Sequence, residues 1–196
     1  AQLSDINNFV HPFNGFSHIE TQYDTLGKVT ISIVHTYTKE QIVEINSQVD
    51  FLYSTLINPE ANLEDNILSV HDYIINHTKY DSLRSDEEVV DYHSDTAYGP
   101  LFEGYAVCGG YTDLMQLFLE RLGVKNFRVS SEDHIWNAVQ IGAGWYHLDL
   151  TWDDPVADDG GDYLEHNFFL IDTNKLFTLE PTQHVFNQDV YLELNT

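Results

Sequence analysis

Cys108 is the single cysteine of the 196-residue chain, in the stretch VCGGYTDLMQLFLERLG. It stands in front of an apolar stripe made of Tyr111, Leu114, Met115, Phe118 and Leu122. Those positions share one helical face, and Gly123 stops the run. The thiol therefore belongs at a helix N-terminus, where unpaired amides and the helix dipole favour thiolate over thiol. Its own N–H is placed to donate to a developing oxyanion. Gly109 and Gly110 remove neighbouring side chains and let another chain approach the sulfur. Taken alone, a single cysteine reads equally as an inert, buried small hydrophobe.

A nucleophilic cysteine needs a base, and the base needs an orienting group. With 10 histidines in the chain, a nearby His means little by itself. Register discriminates better. HIWNAVQI (134–141) and WYHLDL (145–150) flank Gly142-Ala143-Gly144. A two-residue turn at Gly142-Ala143 suits type II′, which wants Gly first. Ile141 then pairs with Gly144, and paired residue numbers sum to 285. Asp149 falls diagonally across from His134 on the same face, within about 7–8 Å. A three-residue loop would move the sum to 286 and point the two side chains to opposite faces. Asp149 lies between Leu148 and Leu150 near Trp145 and Trp152, and an aspartate in such company needs a partner. The imidazole supplies one, and the carboxylate fixes its tautomer. Without Cys108 the pair would read as a structural hydrogen bond.

The elements that must position these groups are legible in part. KVTISIVHTY (28–37) is β-branched and reads as a strand. Residues 39–57 carry Ile42, Ile45, Val49, Leu52 and Leu56 at helical steps, and Asn58-Pro59 ends that helix. Residues 61–80 repeat the pattern with Leu63, Ile67, Val70 and Ile74, and Glu64 and Asp65 fall in the first turn. Residues 81–104 read as a long loop with one short helix, and 124–130 as another strand. NFFLI (167–171) reads as a further strand. Residues 1–26 and the tail to 196 show no clean period. Helices first and a mostly antiparallel sheet after make an α+β order.

The bulk numbers limit the partners. With 32 acidic residues against 8 Lys and Arg, the net charge is −24. That repels nucleic acid and anionic lipid, so neither is expected as a partner. No stretch approaches a membrane span, so no membrane insertion is expected. No signal peptide is visible, and the opening AQLSD without Met fits a processed or trimmed form. One cysteine excludes an intramolecular disulfide and any cysteine-rich zinc site, and a redox sensor would lack its resolving thiol.

VCGGYTDLMQLFLERLGV, HIWNAV and WYHLDLTWDDP resemble the transglutaminase-like superfamily in its bacterial and archaeal branch. The family pattern has Cys-x-Gly-Tyr opening a helix, His-x-Trp-Asn on one strand and Trp-x-x-x-Asp on the next. It falls here on Cys108, Gly110 and Tyr111, then His134, Trp136 and Asn137, then Trp145 and Asp149. The likeness covers residues 67 to 171. It implies a papain-like α+β core, with N-terminal helices and the nucleophile helix packed on an antiparallel sheet. Residues 1–60 would be an N-terminal extension packed on a catalytic domain of 61–196.

The resemblance further implies Cys108 as nucleophile, His134 as general base and acid, and Asp149 as orienter. The reaction would be thioester chemistry on amide bonds of a protein or peptide, ending in hydrolysis or acyl transfer. Papain-type enzymes place a glutamine before the nucleophile, but residues 97–107 contain none. The resemblance suggests an aromatic oxyanion donor instead, Tyr98 or Tyr105. Trp136 and Trp152 would line the acyl-donor groove, or pack in the core beneath the site. Animal transglutaminases require calcium. An EF-hand pattern begun at Asp154 puts Val156 at position 3 and Asp159 at the glycine position, so the pattern fails. No metal or other cofactor is therefore expected. An extracellular or cell-surface location in a prokaryote is expected ahead of the cytoplasm. The alternative is a non-catalytic interaction module that keeps this fold.

Overall fold

Helix-forming stripes and their caps come first along the chain. A computed structural model describes residues 3–156 and 163–195. Helix α1, Lys39–Leu56, opens with a reciprocal capping box between Thr38 and Gln41 and buries Ile45, Val49 and Leu52. Helix α2, Leu63–Asn76, is capped by Asn62 and buries Ile67, Val70 and Ile74. Between them the Asn66 amide donates to Asn58 O and accepts from Asn58 N, at 3.0 and 2.8 Å, which holds the turn around Pro59. Both helices pack on the nucleophile helix; residues of all three share one apolar core.

Ahead of α1 lies a hairpin of β1, Phe16–Tyr23, and β2, Val29–His35. β2 matches the β-branched run. β1 replaces the irregular structure expected there, because its apolar residues are interleaved with His18, Glu20 and Gln22 and give too weak a signal. Cross-strand pairs Ile19–Ile33, Thr21–Ile31 and Tyr23–Val29 put one apolar face together. That face stays in solvent, with Ile31 67% and Tyr23 77% exposed.

After α2, the two-residue strand β3 (Lys79–Tyr80) leads into a short helix α3 (Ser82–Glu87). A single wide turn, Gly99–Glu103, precedes β4 (Tyr105–Ala106), which pairs in parallel with β3. This short ladder ends two residues before Cys108 and fixes how the chain enters α4, Cys108–Arg121. A Schellman motif ends α4. Gly123, in the left-handed region at φ +70°, donates to Glu120 O, and Val124 donates to Leu119 O.

Strands β5 (Asn126–Ser130), β6 (Ile135–Ile141) and β7 (Gly144–Leu148) form an antiparallel sheet in that order. Alternation along β6 serves two cores. Val139 joins the helical side, while Trp136 and Ala138 face Phe127, Val129, Phe186 and Tyr191 on the other. α4 is locked to the sheet through Thr112 Oγ1 to Ile135 O and Asn137 Nδ2 to Thr112 O.

The strand expected over NFFLI is replaced by an isolated bridge between His147 and Ile171. Leu170 takes φ +49°, which breaks the extended run. Phe168 N is turned instead to the Asp153 carboxylate. The tail, without a clear period, carries α5 (Thr173–Leu179) and a short 3₁₀ turn at Leu192–Asn195. Among the described residues no helix is long and apolar enough to cross a membrane.

Candidate active site

The β6–β7 turn decides the geometry. Ile141 pairs with Gly144 and Asn137 with Leu148, which is the register that sums to 285. Gly142 has φ +60° and Ala143 is not at positive φ, as a type II′ turn requires. Beyond the last ladder pair, His134 Nε2 lies 2.6 Å from Asp149 Oδ2. The same ring hydrogen-bonds the Cys108 thiol. Since Nε2 is engaged by Asp149, Nδ1 is the nitrogen left for sulfur. The three side chains thus meet at the N-terminus of α4, and Cys108 keeps partial exposure while His134 and Asp149 are buried.

Every acceptor site of Asp149 is used. Oδ1 accepts the Thr151 and Trp152 amides at 2.9 and 3.3 Å, an Asx turn that swings the chain out of β7. Oδ2 accepts from His134 and also from His184 Nε2 at 2.8 Å. His184 is fully buried, sits over Trp136, Trp152 and Phe168, and turns Nδ1 toward Glu180 Oε2 at 3.3 Å. It escaped the sequence reading because it lies in the tail, 35 residues from Asp149, with no periodic neighbours. A Glu four residues before a His is the single local signal, and it is weak. His134, Asp149 and His184 are close enough to suggest a metal. Both imidazoles, however, meet one carboxylate oxygen at hydrogen-bond distance, which already satisfies them.

Burial opposes charge on His134, but the Asp149 carboxylate, its hydrogen bond and Cys108 outweigh it and push the imidazole up to about 10. Asp149 responds oppositely: burial would raise it, yet the two histidines hold it well below the usual carboxylate range. His147 behaves differently. Burial, then the charge of His184, drives it down to about 3. It is held neutral as an acceptor for Trp136 Nε1 at 2.9 Å, which leaves Nε2–H to donate to Thr173 Oγ1.

No family model matches the sequence, and no curated protein matches it. Among solved structures, a transglutaminase superposes with a TM-score of 0.51 at 15% identity, over 70% of this chain and 45% of that one. The fold is transglutaminase-like. A candidate cysteine protease of Cytophaga hutchinsonii superposes with a TM-score of 0.43 at 14% identity, over 75% of this chain and 65% of that one. The chain therefore spans less than two thirds of either neighbour.

Within this transglutaminase-like frame, several expected positions move. Trp136 is corrected from the groove to the core. It is 0% exposed and lies almost parallel beneath the His134 ring, centroids 5.5 Å apart. Trp152 does line a groove of about 260 Å³, with Tyr80, Thr151, Pro155, Val156 and Gln183. The Tyr98 hydroxyl is engaged by Glu44 of α1. The Tyr105 ring stacks on Tyr92 at 4.2 Å and bonds its hydroxyl. The tyrosine in the field of Cys108 is Tyr80: burial raises its phenol, and Cys108 adds to the effect. Of the acidic loop tested for calcium, Asp158 and Asp159 lie outside the described residues.

The two glycines after Cys108 also change meaning. A Cβ on Gly109 would sit 2.8 Å from Asp95 O, and one on Gly110 2.4 Å from Ser94 O. The close approach is made by the protein's own loop 94–97. That loop is tied by Val107 N to Ser94 O, by Ser94 Oγ to Asp81, and by Ala97 N to the Tyr37 hydroxyl. Tyr37 in turn donates to Asp113 of α4. Gly110→Ala must push backbone against backbone, so we expect a loss of about 1–3 kcal/mol in urea unfolding. A variant as stable as the parent would show that the loop yields freely.

Proposed function

We propose that the chain is a cysteine-nucleophile enzyme that acts on amide bonds of proteins or peptides through a thioester. The observation that carries this reading is the His134 ring, bonded on one side to buried Asp149 and on the other to the Cys108 thiol. An imidazolium stabilised by Asp149 leaves the sulfur as a thiolate, which attacks the substrate carbonyl carbon. The oxyanion is received by the Cys108 amide at the start of α4, with the Tyr80 hydroxyl as second donor. His134 gives its proton to the departing amine as the C–N bond breaks, leaving the acyl group on sulfur. Water or a second amine then attacks the thioester, His134 takes the nucleophile's proton, and the thiolate is released.

The acyl side of the substrate lies along Trp152, Pro155 and Val156, an apolar wall in an acidic protein, so neutral or basic peptides fit best. The proposed catalytic groups all fall within residues 61–196, and residues 1–60 act as a packed extension.

Iodoacetamide near pH 6 is expected to label Cys108 stoichiometrically, and His134→Ala to slow labelling roughly 10²-fold. Casein and a peptide library, with and without an added amine, then separate cleavage from amine incorporation by mass spectrometry. A protein that takes up neither label nor substrate would return the non-catalytic interaction module.

A further inference from the structure

A second group of side chains gathers on the solvent side of α2, apart from the Cys108 chemistry. His71 and Asp72 are neighbours on that helix, and His166 comes from the segment that leads to Phe168. Asp72 Oδ1 lies 2.9 Å from His71 Nδ1 and 2.8 Å from His166 Nε2. The three atoms all fall within 4.8 Å of one another. We propose that His71, Asp72 and His166 hold a divalent transition-metal ion, with zinc the best fit.

Donor accounting supports this. The His71 side chain is fully buried, and its other nitrogen, Nε2, faces Asp153 Oδ2 at 3.2 Å, also fully buried. Both ring nitrogens therefore point at carboxylates, which only accept when ionised. A neutral imidazole has one N–H and can satisfy one of them. Something positive must stand between Nδ1 and Asp72, either a second ring proton or a metal ion. A metal ion completes a known arrangement: Nε2–H donates to the buried Asp153, which fixes the tautomer and turns the Nδ1 lone pair outward to the metal.

The donor set agrees. Two imidazoles and a carboxylate suit zinc, whose ligand atoms stand about 3.3 Å apart in a tetrahedron. The spacing present needs adjustment by only a few tenths of an ångström. Asp72 and His166 are partly exposed, at 37% and 46%, so water can take the remaining position. The net charge of −24 draws in a dication. A metal here would tie residue 166 to α2 and so hold the Asp153 anchor, which bonds Phe168 N and Glu165 N. That anchor begins one residue after Trp152 of the groove. The role is thus structural support. Sequence patterning does not disclose the site, because adjacent His71-Asp72 and a His 94 residues beyond Asp72 form no ligand motif.

The test uses tag-free protein carrying Cys108→Ala, which removes the thiol as a zinc ligand and makes the result independent of the enzyme reading. After chelator treatment, zinc is titrated by calorimetry and melting is followed with and without it. We expect one zinc per chain and a melting shift of roughly 5–10 °C at zinc about 100-fold above Kd. His166→Ala, at a partly exposed position, should retain the fold and lose the shift. Asp72→Asn should weaken binding at least 10-fold. His18→Ala, at an exposed histidine elsewhere, should change nothing. Absence of stoichiometric binding, or binding unaltered by His166→Ala and Asp72→Asn, would overturn the site and leave the proton as the charge between His71 and Asp72. Loss of binding in His184→Ala alone would also overturn it, by assigning the metal to the Asp149 cluster.

Discussion

Asp149→Asn is expected to lower kcat/KM by about 10⁴-fold while the protein still folds. The carboxylate accepts four hydrogen bonds, two from backbone amides on Oδ1 and two from imidazoles on Oδ2. An amide side chain has one accepting oxygen and one donating nitrogen. If its oxygen serves the Thr151 and Trp152 amides, its NH₂ faces His134 and forces that ring to accept at Nε2. The ring proton then moves to Nδ1, the side that must take the thiol proton. If the amide is flipped, its NH₂ confronts two backbone donors in a buried site. Either arrangement costs about 2–3 kcal/mol of stability, because buried donors lose their partner. Steady-state kinetics on a substrate identified by the peptide screen, with urea unfolding in parallel, checks both effects. An Asp149→Asn enzyme within 10-fold of the parent would remove Asp149 from the orienting role.

The second large effect is in pH-dependent stability. The His134 imidazole, near 10 in the fold, lies above its ordinary value of 6.5. Its stabilisation is complete below pH 6.5 and drains away as pH climbs toward 10. Asp149 is depressed, so its stabilisation is present above the ordinary carboxylate value of 3.8 and is lost as pH falls. The two shifts describe one interaction from its two sides and count once. Stability should therefore be greatest at about pH 4–6.5. It should fall by about 2–4 kcal/mol toward pH 10 through this pair. Urea midpoints at several pH values, in the parent and in His134→Gln, test this. The variant should lose most of the alkaline slope, and equal slopes in both proteins would assign that slope to other groups.

The likeness to a solved transglutaminase and the hydrogen-bond geometry bear on different questions. The former, at 15% identity, speaks to the fold. The proposed chemistry rests on the contacts of His134, and on a groove whose wall includes Trp152. Tyr80 connects the two, since β3 brings it opposite Ala106, two residues before the thiol.

Local patterns in the sequence determined whatever short-range physics controls. The stripes of α1, α2 and α4, the stop at Gly123 and the Gly142-Ala143 turn were all legible. The turn carried furthest, because side chains alternate across a strand and one residue of register decides whether His134 and Asp149 share a face. Contacts that arrive from far along the chain were decided by tertiary structure alone. His184 reaches Asp149 from an unpatterned tail, loop 94–97 occupies the space over Gly109 and Gly110, and Trp136 is sealed under the ring it was expected to flank. NFFLI has the composition of a strand, yet Asp153 captures its first amide and bends it away. In each case the competing partner is a buried polar group or a backbone carbonyl whose need for a neighbour outweighs local preference, and no window of sequence contains both halves of such a contact.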